Sequence, residues 1–307
     1  MDAYTNLDGA RVSRLGIGCS NFGKRCDQAA AEEIVRTALD VGVNFFDVAA
    51  SYGSGTAEGL LACGLRGRRQ EAIIATKFGH SSTEPCDGGH PDNVFRSAEA
   101  SLRALETDYI DLFQIHEPDS RVPIAETLGA LETLVEQGKV RWAGCCNFSI
   151  QRLTEAGEAE RGRFRTVQNE YSLLVRDAER DVLPYCRETG TRFIPYFPLA
   201  SGVLTGKYRY DQRVPPGTRV AQMKPDKLFR FFTPRALELV ERLVVLGEST
   251  GCSVLGLALG FHLAEPSILS IITGAMSGEQ VRANAAAVDA WATLPSDVTQ
   301  RLREMSC

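Results

Sequence analysis

The chain has 307 residues, 44% of them hydrophobic and 24% charged, with a formal net charge of -5. That is ordinary globular composition, enough for a sizeable core, and the acidic balance argues against a general nucleic-acid binder. No apolar run approaches the roughly 18 residues of a membrane span, the amino terminus has no basic-then-apolar leader pattern, and the nine cysteines form no CxxC pair. Together these features predict a cytoplasmic protein with free thiols that acts on a small molecule and not on a membrane.

Asp8-Gly9 predicts a turn, followed by one short strand within Arg11 to Gly18. Asp27 can cap a helix through Leu39 whose apolar face is Ala31, Ile34, Val35 and Ala38, and Gly42 ends it. A buried strand follows at Asn44 to Val48, then a helix at Ala57 to Leu65 and a strand at Ala72 to Thr76 that stops at Lys77. The alternation continues through helix Asp92 to Leu105, strand Tyr109 to Ile115, helix Ile124 to Glu136 and strand Val140 to Cys145. Beyond these lie helix Ser149 to Glu160, strand Thr166 to Asn169, helix Ala178 to Thr189 and strand Arg192 to Phe197. One or two helices between Pro234 and Ala264, strand Ile268 to Thr273, helix Glu279 to Ala290 and helix Ser296 to Met305 complete the chain. Eight strands alternating with helices favour a parallel (β/α)8 TIM barrel in the α/β class over a doubly wound sheet. With no repeat, low-complexity tract or linker, residues 1–307 read as a single domain. The long segment from Ala200 to Arg235 carries eight Lys or Arg against Asp211 and Asp226, which suits an anionic ligand.

Four polar residues fall at the carboxyl ends of the second to fourth barrel strands: Asp47 with Tyr52, then Lys77, then His116. Such ends converge on one mouth of a barrel, where active sites lie. A neighbouring ammonium lowers the pKa of a phenol, ordinarily about 10, and a carboxylate can hold that ammonium charged. Tyr52 then becomes a proton donor and His116 can orient a carbonyl, which fits protonation of an alkoxide as hydride arrives from a nicotinamide. Singly, each residue has an ordinary reading as a cap, a solvated charge or a structural imidazole. Lys77 alone also fits the Schiff-base lysine of a lyase. The four His are widely spaced and no HExxH motif or Cys/His cluster occurs, so no metal is expected.

Phe45-Phe46-Asp47, Tyr52-Gly53 with Glu58, Ile74-Ala75-Thr76-Lys77 and the strand leading to His116 resemble, in order, the signatures of the aldo-keto reductases. The resemblance spans nearly the whole chain and is nearest in pattern to the bacterial and channel-associated short-tailed members. It implies a barrel that binds an extended nicotinamide cofactor, usually NADP(H), and a catalytic set of Asp47, Tyr52, Lys77 and His116 with Tyr52 as general acid. It also implies cofactor contacts. Gly144-Cys145-Cys146-Asn147-Phe148 resembles a Gly-x-Ser-Asn-Phe segment that reaches the carboxamide, with Cys146 in place of Ser and Asn147 kept; Gln168 matches the other carboxamide ligand. Tyr196 matches the aromatic under the nicotinamide. Phe197 replaces a Ser beside it, and Pro198, Leu199 and Ser201 open a pyrophosphate loop that runs to Lys207. Gly274 lies in a segment that resembles the cofactor-binding one after strand eight, Gln280 and Asn284 match the adenosine end, and Met276 stands where a small polar or basic residue often helps hold the 2′-phosphate. Lys207 and Arg219 match phosphate positions of the channel-associated members, which keeps NADP(H) ahead of NAD(H).

The substrate pocket is expected from loops at Asn21-Phe22, Ala49-Ala50, His80 to Pro91, Glu117 to Val122 and Ala200 to Arg235, with an apolar wall from Phe22, Phe78, Phe197, Phe229, Phe231 and Phe232. The expected reaction is reduction of an aldehyde or ketone, including sugar-like carbonyls. The alternatives are an NAD-dependent dehydrogenase of a sugar-like alcohol and a weakly catalytic, cofactor-sensing binding subunit. The vicinal Cys145-Cys146 pair is expected to behave as small buried hydrophobes.

Overall fold

The computed structural model describes residues 3–80, 88–159, 164–222 and 230–305. Strands β1 (Tyr4–Leu7) and β2 (Ala10–Ser13) form an antiparallel hairpin over the Asp8-Gly9 turn. The barrel then alternates β3 (Leu15–Gly18), α1 (Gln28–Asp40), β4 (Phe45–Asp47), α2 (Ala57–Gly64), β5 (Ile73–Phe78), α3 (Pro91–Ala104), β6 (Ile110–Ile115) and α4 (Ile124–Glu136). It continues with β7 (Val140–Cys146), α5 (Ile150–Gly157), β8 (Thr166–Glu170), α6 (Val182–Thr189) and β9 (Arg192–Tyr196). Last come α7 (Pro234–Thr250), α8 (Val254–Leu263), β10 (Ile271–Gly274), α9 (Gly278–Trp291) and α10 (Asp297–Glu304).

Strands β3 to β10 make one parallel eight-stranded sheet in the order β10-β3-β4-β5-β6-β7-β8-β9. The two ends approach through Phe193, whose N–H donates to the Ser267 carbonyl at 2.8 Å and whose carbonyl accepts from Leu269 N–H at 2.8 Å. The result is a nearly closed (β/α)8 barrel. Because side chains alternate along a strand, Phe45, Ala75, Leu112, Ile194 and Ile272 fill the interior with Leu7 and Val12 of the hairpin. Phe46, Ile74, Phe113 and Val167 face outward into the larger core beneath the helices. The hairpin is tied to the barrel by Thr5 Oγ1 donating to the Leu269 carbonyl at 2.8 Å.

Several helices start as the caps predict: Asp27 Oδ1 accepts from Ala30 N–H at 2.9 Å, and Ser149 accepts from Arg152 N–H. Other boundaries differ. The expected strand from Arg11 to Gly18 is divided at Arg14 between the hairpin and β3. The expected helix from Ala178 breaks into a short turn at Asp177–Glu179 and α6, with Asp181 in a non-helical conformation at the junction. Lys77 lies inside β5 and not after it. No single helix among the described residues is long and apolar enough to cross a membrane. The seven cysteines among them are all free thiols, and the pleat sends Cys145 outward and Cys146 inward.

Asp111, at the start of β6, is fully buried and ties neighbouring strands together. Its carboxylate accepts from Arg69 at 2.9 Å, Arg141 at 2.8 Å and Ile74 N–H at 3.0 Å. Asp111→Ala strands that amide and a largely buried guanidinium, so urea unfolding of the variant is expected to show a loss of about 3 kcal/mol. A loss within about 0.5 kcal/mol would mean that the network is peripheral to stability.

Candidate active site

Strand periodicity sets the floor of the site. Asp47 lies two residues beyond Phe45, Lys77 two beyond Ala75 and Gln168 two beyond Thr166, so all three point into the carboxyl end of the barrel. Lys77 Nζ donates to Asp47 Oδ2 at 2.7 Å and to the Val48 carbonyl at 3.0 Å, and stands 3.4 Å from the Tyr52 hydroxyl. The other Asp47 oxygen accepts from Gln168 Nε2 at 2.7 Å. Tyr52 begins a single turn, Tyr52–Gly55, in which Gly53 takes φ 57°. A side chain at Gly53 would come within 2.3 Å of the Phe22 carbonyl, so the turn that aims the phenol needs glycine. His116 follows β6 and is anchored by its N–H to the Phe78 carbonyl at 2.7 Å. Its ring packs edge-on to Tyr52, with centroids 6.0 Å apart. The structure thus gathers Asp47, Tyr52, Lys77 and His116 at one place.

The electrostatics differ in one respect from the sequence expectation. Burial pushes the Tyr52 pKa up and outweighs the lowering by Lys77, so the phenol is raised above 10 and is fully protonated at neutrality. Burial likewise acts to lower Lys77, but Asp47 and the Tyr52 oxygen outweigh it and hold the amine as a cation, which disfavours the nucleophilic lysine of a lyase. Burial, then the Lys77 charge and then His80 push His116 down to about 3, leaving a neutral imidazole that can donate one hydrogen bond. The Cys146 thiol is driven up by burial and stays protonated.

From this floor a cleft of about 1720 Å³ runs outward. Cys146, Asn147, Gln168, Tyr196, Phe197, Pro198, Leu199, Ser201, Lys207, Arg219, Gly274, Met276, Gln280 and Asn284 all line it, as do Asp47, Tyr52 and His116, while Lys77 is buried behind Tyr52. Asn147 Nδ2 donates to the His116 carbonyl at 2.9 Å, and the Tyr196 hydroxyl donates to Asn147 Oδ1 at 2.8 Å. Phe197, Ala200 and Ser201 have positive φ, bending the chain around the cleft wall. Lys207 and Arg219 have no carboxylate partner among the described residues, so the wall carries uncompensated positive charge, and its donor set fits a long anionic nucleotide.

The expected aromatic wall is largely absent. Phe22 and Phe78 are buried in the core, Phe231 packs behind Phe197 at 5.8 Å and Phe232 against Tyr208 at 5.7 Å; Phe229 lies outside the described residues. Among the described members of that set, Phe197 alone lines the cleft. Beside Tyr52 the lining is polar instead, with His80 against His116 at 4.7 Å and 3.7 Å from the Glu117 carboxylate. Ser20 and Arg25, from the loop after β3, also line the cleft. Neither lies in a recognisable motif, and the only available signal was position after a barrel strand.

The Aldo/keto reductase family profile matches residues 14–306. The chain belongs to the aldo/keto reductase family. It is 37% identical to an uncharacterized oxidoreductase, YrpG, of Bacillus subtilis (strain 168), over 93% of this chain and 90% of that protein. It is 33% identical to a probable voltage-gated potassium channel subunit beta of Arabidopsis thaliana, over 98% and 96% of the two chains. Among solved structures it is similar to an aldo/keto reductase from Klebsiella pneumoniae in complex with NADP and acetate. That match has TM-score 0.77 and 26% identity, and covers 99% of this chain and 95% of that one. As an aldo/keto reductase the chain is an oxidoreductase, and the family's cofactor is NADP(H).

A neutral His116 has a measurable consequence. The unfolded chain takes up this proton near its ordinary value of 6.5, whereas the folded protein takes it up only near 3. Between those limits the unfolded state holds more protons, so stability falls as pH drops. Urea unfolding at about pH 7 and about pH 5 should show a smaller acid-side loss in His116→Gln than in the parent. An unchanged loss would assign it to other groups.

Proposed function

We propose that the protein is an NADP(H)-dependent reductase of small polar aldehydes or ketones, with Tyr52 as the general acid. The observation that carries this reading is the Tyr52 hydroxyl 3.4 Å from an ammonium that is itself locked onto Asp47, at the inner end of a cationic cleft. Asn147 and Gln168 have the amide groups to hold the carboxamide, Tyr196 and Phe197 offer ring faces, and Ser201, Lys207 and Arg219 suit the phosphates. When bound, the cofactor supplies a hydride to the carbonyl carbon.

The protein's own part is to position and protonate. The neutral His116 donates a hydrogen bond to the carbonyl oxygen and directs it towards Tyr52. As the two electrons of the C=O π bond move to that oxygen, the Tyr52 O–H bond breaks and its proton goes to the oxygen, giving the alcohol. The phenolate left behind faces the Lys77 ammonium, whose charge is worth more in a dry site than in water. A proton from solvent then restores the phenol. In the oxidative direction the same groups act in reverse, which keeps open dehydrogenation of a sugar-like alcohol. The His80 and Glu117 lining favours hydroxylated substrates over large apolar ones.

The likeness to a channel subunit beta supports a second reading, in which the protein senses cofactor and turns over weakly. Against it, all four polar groups are in place. Fluorescence titration with NADPH and a carbonyl panel separates the two. Tyr52→Phe should lower the reduction rate by roughly 100- to 10,000-fold and leave the NADPH Kd within about twofold. Unchanged turnover would remove Tyr52 as the acid, and tight NADPH binding with no turnover of any carbonyl would favour the sensing role.

A further inference from the structure

The cleft is asymmetric in charge. Among the described residues its lining carboxylates, Asp47 and Glu117, both lie at the Tyr52 end. At the far end, β10 and α9 contribute Thr273, Gly274, Met276, Gln280, Ala283 and Asn284, none of them charged. The positive charge there comes from elsewhere in the chain. Arg25 sits in a tight turn after β3, in which the N–H groups of Lys24, Arg25 and Cys26 all donate to the Asn21 carbonyl at 3.1, 2.8 and 2.9 Å. Cys26 clips this turn to the segment after β10, with its sulfur 3.7 Å from the Met276 sulfur and 3.9 Å from the Ala275 carbonyl. The turn that carries Arg25 is therefore held against the segment that carries Met276, and both residues line the cleft.

Across the cleft, Arg25 Nη2 donates to Gln222 Oε1 at 2.5 Å, and Gln222 closes the short turn that follows Arg219. That partner is a neutral amide and cancels no charge. Other arginines of the same long segment are neutralised: Arg209 by Glu241 at 2.5 Å, and Arg230 by Glu170. Arg25 and Arg219 have no carboxylate partner among the described residues, although both line the cleft and stand close enough to repel. Burial and then the Arg25 charge push Arg219 below the usual arginine value. Two uncompensated guanidiniums facing one cavity are unfavourable without an anion and form a strong site with one, because each can grip phosphate oxygens in a bidentate fork.

We infer that Arg25, with Arg219 opposite, binds the 2′-phosphate of NADP(H) and sets the preference over NAD(H), supplying from the loop after β3 the cation that Met276 does not provide. This inference rests on the reading of the cleft as an NADP(H) site. Lys207 is left to the pyrophosphate, since its ammonium lies 3.3 Å from the Cβ position of Gly202 in the loop that follows Ser201.

The test is a binding measurement on the full-length, cofactor-free protein, with calorimetric or fluorescence titration of NADPH, NADH, 2′,5′-ADP and 5′-AMP. For Arg25→Ala the expected result is a roughly 10- to 100-fold rise in Kd for NADPH and 2′,5′-ADP, with NADH and 5′-AMP within about twofold. Equal losses for the ligands with and without the 2′-phosphate, or no loss for any, would overturn the assignment. If the parent protein binds neither NADPH nor NADH, the proposed function itself fails, which is a distinct result. Should Arg25→Ala not fold, as judged by circular dichroism, Arg25→Lys carries the test. It keeps the charge without the fork, so a several-fold loss confined to NADPH and 2′,5′-ADP is expected, and a loss shared with NADH refutes the inference.

Discussion

The buried ion pair between Lys77 and Asp47 constrains everything around it. An ammonium with no side-chain exposure is tolerable only if its three donors are met, and here they are met by Asp47, the Val48 carbonyl and the Tyr52 oxygen. Those partners come from β4, the residue after it and the turn beyond. The Lys77 side chain can reach them only because β5 pairs with β4 in the register that sets Asp47 beside Ala75. A slip of one residue in either strand would turn its charge out of the barrel into the apolar layer beneath the helices and leave the other without its partner. The charged floor is therefore a register lock as well as a chemical device.

In the proposed mechanism, that floor also explains why raising the Tyr52 pKa does not spoil the phenol as an acid. Burial penalises a resting phenolate, so at neutral pH the proton is present on Tyr52 in nearly every molecule. The penalty is offset when it matters, as charge develops opposite the fixed Lys77 cation. His116 stays neutral because burial and the neighbouring Lys77 charge both disfavour its protonated form. On that proposal, proton supply, charge stabilisation and substrate orientation fall to three different side chains, each held in one protonation state by its surroundings.

Much of this was legible in the sequence, and the exceptions have physical causes. The strands around Phe45, Ile74 and Leu112 declared themselves by short apolar runs between turn residues, and α1 by Asp27 and its apolar face. The hairpin strand Tyr4–Leu7 did not, since four residues with one buried side chain carry too little pattern. Phe22 and Phe78 were misplaced because a phenylalanine after a strand can turn either to the core or to the cleft, and only packing decides. The direction of the Tyr52 shift depends on how much water reaches the phenol, which residue spacing does not encode. The cleft-lining residues from Cys146 to Asn284 could be named through motif likeness, whereas Arg25, which lines the same cleft, belongs to no motif.

The two ends of the cleft differ in how freely they can change. At the Tyr52 end each side chain projects from or just beyond a barrel strand and is fixed by interior packing, so replacing one disturbs register, charge and geometry together. At the far end the lining comes from three separate loops and α9, joined by contacts such as Arg25 to Gln222 and Cys26 to Met276. A cation can be lost from one loop there and supplied from another without moving the barrel. On the proposed reading, the chemistry is accordingly tied to the sheet, while the choice between phosphorylated and unphosphorylated cofactor rests with loop side chains that enter the same cavity from opposite sides.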